Sequence, residues 1–436
     1  LFLATALQGL MLWVPVEKLF LSDIGFTPAD IGLMAAVYAG VVPLAEVPSG
    51  VLADRWSRRG VLALAGLALA LCSLIGGLST GVPSYLVSAV CLGIFFAMYS
   101  GTTDSMVYDT LVEELGDGGD FTRYMGWVRA VGAASFAVSA LAGGLLAEAV
   151  DPRFTYLATV PIALLSLAAV RAFREPRLHR SEEGETLRHQ IRLTVRTISD
   201  RGVVLPVVLL GAVSGVGLQL VFEFGPLWLV AIAAPTVLFG PHWAALTATL
   251  GIGGLLAGRV PWGRTAVSPA LGLLMTSAAA VTVFSRHVVV ITVAQTLLAL
   301  VLVVVGALAS QRLHDAIPSH IRASVASGAG TMAWLSFLPA ALLFGWLVDA
   351  HGLAAAGWLL TGLAALTALM VHRQRGGTPP AELTCRDVVD LATAHLDGEL
   401  DDETEQAVLR HQRLCPGCTA YFQQVRDLLR AVSTLR

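Results

Sequence analysis

The sequence predicts an all-α, polytopic membrane protein: twelve transmembrane helices in two six-helix bundles, then a small three-helix soluble domain. Three observations carry that prediction. The chain is 56% hydrophobic and 14% charged, against roughly 25% charged in a soluble globular domain. Its apolar residues fall into repeated runs of about 20, enough for a helix to cross a hydrocarbon core of ~30 Å. After residue 381 the composition turns soluble, and Cys385, His411, Cys415 and Cys418 gather in a short stretch.

The apolar runs place spans at approximately 1–21, 30–52, 60–79, 83–109, 125–148, 154–171, 203–230, 240–258, 266–284, 287–309, 322–348 and 352–371. Arg55, Arg58 and Arg59 follow span 2, and Arg123 precedes span 5. Arg259 and Arg264 follow span 8, and Arg312 and Arg322 lie between spans 10 and 11. The other side offers mainly Arg153 and Arg286. Cytoplasmic loops collect arginine, so even-numbered spans end in the cytoplasm, and the tail with them. The chain opens at Leu1 inside an apolar helix, which points to a short leader before it.

Residues 172–201 form a charged connector. Leu187, Ile191, Val195 and Ile198 share one helical face and Arg188, Arg192 and Arg196 a neighbouring one, the pattern of an amphipathic helix on the inner membrane surface. The domains are therefore 1–171, a bundle; 172–201, the connector; 202–371, a second bundle; 372–381, a flexible linker; and 382–436, the tail. The halves echo each other at an offset of 208: Gly9 matches Gly217, Leu19-Phe20-Leu21 matches Leu227-Trp228-Leu229, Gly32 matches Gly240, and Gly50 matches Gly258. Parallel repeats of this kind suit two bundles that rock about a central site.

The net charge is −3, and residues 381–436 alone carry 10 acidic against 6 basic side chains. An acidic tail and the lack of a basic stripe exclude a nucleic-acid partner. Cys72 and Cys91 sit inside apolar runs and read as small buried hydrophobes.

Between spans 2 and 3 stands Gly50-Val-Leu-Ala-Asp-Arg-Trp-Ser-Arg-Arg59. Its glycine allows close helix contact, and its arginines hold the loop inside. The run resembles motif A, G-x-L-x-D-R-x-G-R-R, of the major facilitator superfamily, with Ser57 at the usual second glycine. That resemblance implies a transporter rather than an enzyme, in which Asp54, with Arg55, Arg58 and Arg59 beside it, joins a charge network locking the cytoplasmic side. Glu46 late in span 2, Asp104 and Asp109 late in span 4 and Arg129 early in span 5 are the expected partners. An ion at membrane depth is paired or in water, so an Arg129–carboxylate pair is expected. The segments Glu46-Val-Pro-Ser-Gly50 and Ser100 to Asp109 are similar to bacterial drug-efflux-like facilitators. Span 4, however, has no arginine, and Ser139-Ala-Leu-Ala-Gly-Gly144 keeps only the glycine pair of that group's G-P-x-x-G-G.

Toward the outer side, Glu17 and Lys18 lie late in span 1 and Glu223 late in span 7. Lys18 is the only lysine in the chain. Glu17 and Lys18 read as interfacial charges that snorkel. Glu223, in more apolar surroundings, is the stronger candidate for a protonatable group. Glu17, Glu223 and Gln219 are the candidate substrate or proton ligands, and Gln8, Trp13, Gln295 and Trp334 could also line a cavity.

In the tail, Cys385-x25-His411-x3-Cys415-x2-Cys418 supplies four ligands suited to one tetrahedral Zn2+. Spacing four puts His411 and Cys415 on one helical face, and Pro416-Gly417 turns the chain so that Cys418 can join them. His395 is a rival ligand. A unit of ~50 residues buries little core, so a metal staple fits its size. Helix a is expected over 384–396, helix b after a cap at Asp401 or Asp402, and helix c from Cys418 to about 433 with Tyr421, Val425, Leu428 and Leu429 as its apolar stripe. The stretch resembles the zinc-binding anti-sigma domain of bacteria, which implies a sigma factor as partner. Two readings follow. One is a transporter in the bacterial cell membrane that exports a small amphipathic molecule by alternating access and carries a cytoplasmic regulatory or docking tail. The other is a membrane-tethered sensor whose tail holds a sigma factor.

Overall fold

The computed structural model describes residues 1–115, 121–173, 197–199, 204–262, 265–317, 322–374, 383 and 385–433. Most of the connector, with its expected amphipathic helix, lies outside the described residues, as do Arg264 and the side chains of Asp54 and Arg322.

The first span is interrupted. Helix α1 (Phe2–Gly9) gives way to a tight turn at Val14–Val16, and α2 (Glu17–Asp23) resumes the path. Pro15 lacks an N–H and cannot extend the ladder of α1. Backbone freed at membrane depth needs a partner, and the Leu12 N–H donates to Thr159 Oγ1 at 3.2 Å. Then come α3 (Pro28–Arg55), α4 (Arg58–Leu78), α5 (Val82–Leu115), α6 (Phe121–Ala149) and α7 (Pro152–Ala172). Each start has a cause. Thr27 and Asp30 form a capping box for α3, Ser57 accepts the Gly60 N–H at the head of α4, and Asp151 caps α7. Ser57, the departure from the motif, thus works as a helix cap.

The second bundle repeats the plan with α8 (Val204–Phe224), α9 (Pro226–Ala231), α10 (Phe239–Ala257), α11 (Val267–Phe284), α12 (Val288–Asp315), α13 (Arg322–His351) and α14 (Leu353–Arg373). Its first span also breaks, at Gly225-Pro226, where Gln295 Nε2 donates to the Gly225 carbonyl at 3.3 Å. Helix starts follow their counterparts by 209 residues at α2/α9 and α4/α11, falling to 201 at α6/α13 and α7/α14. Among the described residues, ten helices are long and apolar enough to cross a membrane. The interrupted first span and α10 fall outside that set, so twelve remains the expectation from sequence.

The two bundles meet through α3 against α13 and α6 against α10. They touch tightest at the end away from the arginine-rich loops. A Cβ on Gly32 would lie 2.6 Å from the Ala341 carbonyl oxygen, one on Gly345 2.5 Å from that of Pro28, and one on Gly240 2.6 Å from that of Ala140. Two carboxylates tie the same end. Asp349 Oδ2 accepts the Ala29 N–H at 3.2 Å, and Glu148 Oε2 accepts the Val237 N–H at 3.3 Å. Both donors belong to the orphan N–H groups of a helix start, where a negative charge is favoured. Ala29 and Val237 are 208 residues apart and Glu148 and Asp349 are 201 apart, so the two ties are one contact repeated. At the arginine-rich end a cavity of about 1220 Å³ opens.

Close contact is absent at one expected place: among the described residues, no atom outside its own stretch of helix lies within 4 Å of a Cβ built on Gly50. Within the first bundle the reverse holds, and a Cβ on Gly143 would lie 2.0 Å from the Leu12 carbonyl oxygen, at the break in span 1. Gly143→Ala is therefore expected to cost about 1–3 kcal/mol through overpacking, read as a lower Tm in detergent, whereas Gly50→Ala should leave Tm unchanged.

The tail forms α15 (Cys385–Asp390), α16 (Ala392–Asp397), α17 (Asp402–Leu414) and α18 (Pro416–Ser433). Gly398, at φ +72°, makes the expected turn, and the Thr404 N–H donates to Asp401 Oδ1 at 2.9 Å, which identifies Asp401 as the cap. Three expectations are corrected. Helix a breaks at Leu391 into α15 and α16, so the expected three helices are four. Helix c starts at Pro416 rather than after Cys418, because proline fits a first helical position whose N–H would be unpaired anyway. Leu428 is exposed, and Phe422 is the aromatic that joins Val388, Ala392 and Val408 in the small core.

Candidate functional site

The cavity is lined by aromatic and apolar side chains, among them Trp13, Tyr38, Phe222, Trp243 and Trp334, with a few charges. At its closed end the break in span 1 places Glu17 in the first turn of α2, near a helix N-terminus that favours a carboxylate. Lys18 follows it, with a side chain 2% exposed. Its ammonium donates to Glu17 Oε2 at 2.6 Å and reaches across the bundle interface to Glu223 Oε1. Snorkelling is therefore not what Glu17 and Lys18 do. The helix break has pulled both into the interior.

Tyrosines complete the network. Tyr38 O–H donates to Glu223 Oε2 at 2.8 Å and Tyr85 O–H to Glu17 Oε1 at 2.8 Å, with Tyr156 O–H 2.7 Å from that of Tyr85. Trp13 stacks on Tyr156 at 4.9 Å between ring centroids and donates to Ser73 Oγ at 3.2 Å. With all three ionised, Glu17, Lys18 and Glu223 carry a net −1, so one proton or one bound cation makes the cluster neutral. An uncompensated charge in such a place costs several kcal/mol.

Gln219 lines the cavity, as do Trp13 and Trp334. Gln8 and Gln295 do not. Gln8 Nε2 donates to the Leu62 carbonyl at 3.4 Å, and Gln295 serves the break at Gly225. Toward the open end, Arg58 pairs with Asp109 and donates to the Ser105 carbonyl at 3.3 Å. Arg59 donates to the Phe173 carbonyl at 3.3 Å. Arg129 meets Asp104 at 3.9 Å with side chains 75% and 51% exposed, so the expected pair exists in a solvated form worth about 0–1 kcal/mol. Glu46 lines the same opening and Arg55 is exposed.

In the tail the ligand atoms of Cys385, His411, Cys415 and Cys418 all lie within 4.8 Å of one another. Cys385 Sγ is 3.8 Å from Cys415 Sγ and 3.5 Å from His411 Nε2. A tetrahedral zinc with ordinary bond lengths would separate two sulfurs by about 3.8 Å and a sulfur from a nitrogen by about 3.6 Å, so the four side chains fit the ion. Burial, reinforced by the Cys415 thiol, pushes the Cys418 thiol up to about 12 in the metal-free fold. His395 is engaged elsewhere, with Nδ1 2.7 Å from Glu405 Oε2 and its ring edge-on to Phe422.

Residues 1–332 match the Major Facilitator Superfamily. The chain belongs to the major facilitator superfamily. Its tail, residues 385–419, matches the family described as "Putative zinc-finger", a stretch that holds all four ligands. Over 122 residues, 28% of this chain, the facilitator is 33% identical to the puromycin resistance protein pur8 of Streptomyces alboniger. The matched stretch spans 24% of that relative's length. Solved structures share the facilitator fold. The nucleoside transporter NupG has a TM-score of 0.68 at 12% identity, over 85% of this chain and 95% of that one. A D-xylose-proton symporter gives 0.65 at 15% identity, over 85% and 96%. A bacterial homologue of the human lysosomal transporter Spinster, inward-facing and occupied, gives 0.63 at 14% identity, over 86% and 92%.

Sequence reasoning missed Tyr38, Tyr85 and Tyr156, and it undervalued Lys18. The lone lysine was the available signal, since a facilitator that otherwise uses only arginine keeps this ammonium in its interior.

Proposed function

We propose that this facilitator exports a small amphipathic molecule by alternating access in a bacterial cell membrane, driven by protons taken up at Glu223, with Glu17 beside it as a ligand for proton or substrate. The observation that carries the reading is the cavity, open at the arginine-rich end and closed at the Glu17–Lys18–Glu223 cluster. The positive-inside rule supports a cytoplasmic arginine-rich end, and with it a cytoplasmic tail. A cavity that opens there is ready to load from the cytoplasm. Its aromatic walls suit an apolar body, and its carboxylates suit a polar or cationic group. Asp54, Arg55, Arg58, Arg59, Glu46, Asp104, Asp109 and Arg129 would govern closure of the cytoplasmic mouth, and Gln219 would contact the substrate.

The tail, holding one Zn2+, would serve as a regulatory or docking module for a cytoplasmic protein, a sigma factor being the partner its resemblance suggests. Puromycin is the first probe, because a relative is named for resistance to it. In energised inside-out vesicles, Glu223→Gln is expected to abolish uphill puromycin accumulation and Asp104→Asn to lower it several-fold, at unchanged protein levels. Unaltered accumulation in both variants would remove those residues from the mechanism. Transport that persists without residues 381–436 would assign the tail to regulation alone.

A further inference from the structure

We infer that Lys18 is the coupling residue of the transport cycle, a tethered ammonium that displaces the proton from Glu223 each time the cavity opens to the cytoplasm. The inference rests on the proton-driven reading above and deepens it. Its basis is geometric. Lys18 and Glu17 stand on α2 of the first bundle, and Glu223 stands on α8 of the second. With the far end sealed, the ammonium is shared between the two carboxylates, and Glu223 is held also by Tyr38. The ammonium meets Glu17 on α2 and Glu223 on α8; Tyr38 on α3 donates to Glu223, Tyr85 on α5 donates to Glu17, and Tyr156 on α7 meets Tyr85. Arg153 at the start of α7 lies 5.2 Å over the ring of Phe20, close above them.

The charges set the sequence of events. Parting the bundles at the sealed end must separate Lys18 from Glu223, since each belongs to a different rigid half. Lys18 stays with Glu17 as a neutral pair. Glu223 is then left alone, and it becomes neutral by taking one proton from outside. When the far end closes again, the ammonium returns to Glu223. The carboxyl O–H bond breaks, the ion pair forms, and the proton passes to cavity water and out through the open mouth. One proton moves inward per cycle, and no other charge has to cross. A facilitator without Lys18 would keep the proton on Glu223 in both states.

The test needs no substrate. Ala341 is fully buried at the sealed end, where its carbonyl meets Gly32. Ala341→Cys in a Cys72→Ser/Cys91→Ser background can be titrated with a membrane-impermeant maleimide in right-side-out vesicles, which keeps the tail thiols out of reach. Labelling is expected to rise as external pH falls. Glu223→Gln should label at every pH. Lys18→Gln should flatten the pH dependence, since Glu223 then keeps its proton whether the far end is open or sealed. Glu17→Gln, a neutral change that guards against misfolding of the lysine variant, should move it down, because the ammonium then belongs to Glu223 alone. Lys18→Arg should retain a midpoint. Midpoints unchanged in both Glu17→Gln and Lys18→Gln, with pH dependence still lost in Glu223→Gln, would overturn the role of Lys18 and spare the proton reading. Unchanged pH dependence in Glu223→Gln would overturn both.

Discussion

Replacing Cys415 with serine is expected to strip the tail of its metal and its fold together. Purified full-length protein should hold one zinc per chain by elemental analysis, and Cys415→Ser should bring that below a tenth. The reason is the size of the core: among the described residues, Val388, Ala392, Val408 and Phe422 are the buried apolar ones besides the thiols. A structural zinc supplies an apparent ~10–16 kcal/mol to units of this kind, far more than four such side chains can. Limited proteolysis should then cut freely within 385–433 while the membrane bundles stay intact. Acid should act in the same direction. The Cys418 thiol, pushed up to about 12 when no metal is bound, must lose its proton to water before its thiolate can hold the ion, so affinity falls with every drop in pH. Release of zinc to a chromogenic chelator should accelerate as pH falls below neutrality. A tail that stays protease-resistant after complete chelation would show that its helices do not depend on the ion.

Lys18→Met should be among the most damaging single changes in the membrane bundles. It leaves Glu17 and Glu223 facing each other without the ammonium that now bridges them. Removing one partner of a buried ion pair costs about 3–5 kcal/mol, and the loss should appear as a lower Tm at pH 7. At pH 5 much of the loss should return, since the stranded carboxyls can take up protons. The triple change Glu17→Gln/Lys18→Met/Glu223→Gln should be close to the parent in Tm, because an all-neutral cluster has no charge to compensate. It should nevertheless fail to pump uphill. Equal Tm values for parent and Lys18→Met at pH 7 would mean that water in the cavity screens the cluster completely.

How far the sequence could be read follows from what each feature depends on. Apolar runs and arginine placement are local, so ten of the expected spans were legible as long apolar helices, though α5 and α12 each run six residues past the expected ends. The gathering of Cys385, His411, Cys415 and Cys418 was legible because metal chemistry fixes residue type and His411 and Cys415 sit a helical turn apart. The break in span 1 was not. Pro15 signals an interruption, but which way the chain resumes depends on Thr159 and Gly143, far away in sequence. The break in turn decides that Glu17 and Lys18 face inward, so the interior cluster was hidden for the same reason. The aromatic members Tyr38, Tyr85 and Tyr156 come from three other helices and share no spacing. The mouth was half legible: the Arg129–carboxylate pair was expected, but its exposure depends on how far the bundles part.

The paired ties at the sealed end bear on the symmetry of the closure. Ala29 with Asp349 and Val237 with Glu148 relate each half to the other as the two halves of an isologous interface relate two identical subunits. In a symmetric dimer of one such half, a single carboxylate and a single exposed helix start would close both sides, and any substitution would strike both at once. In one continuous chain the two ties can differ. Aspartate serves on one side and glutamate, one methylene longer, on the other, so each side of the closure can be tuned in strength without the other.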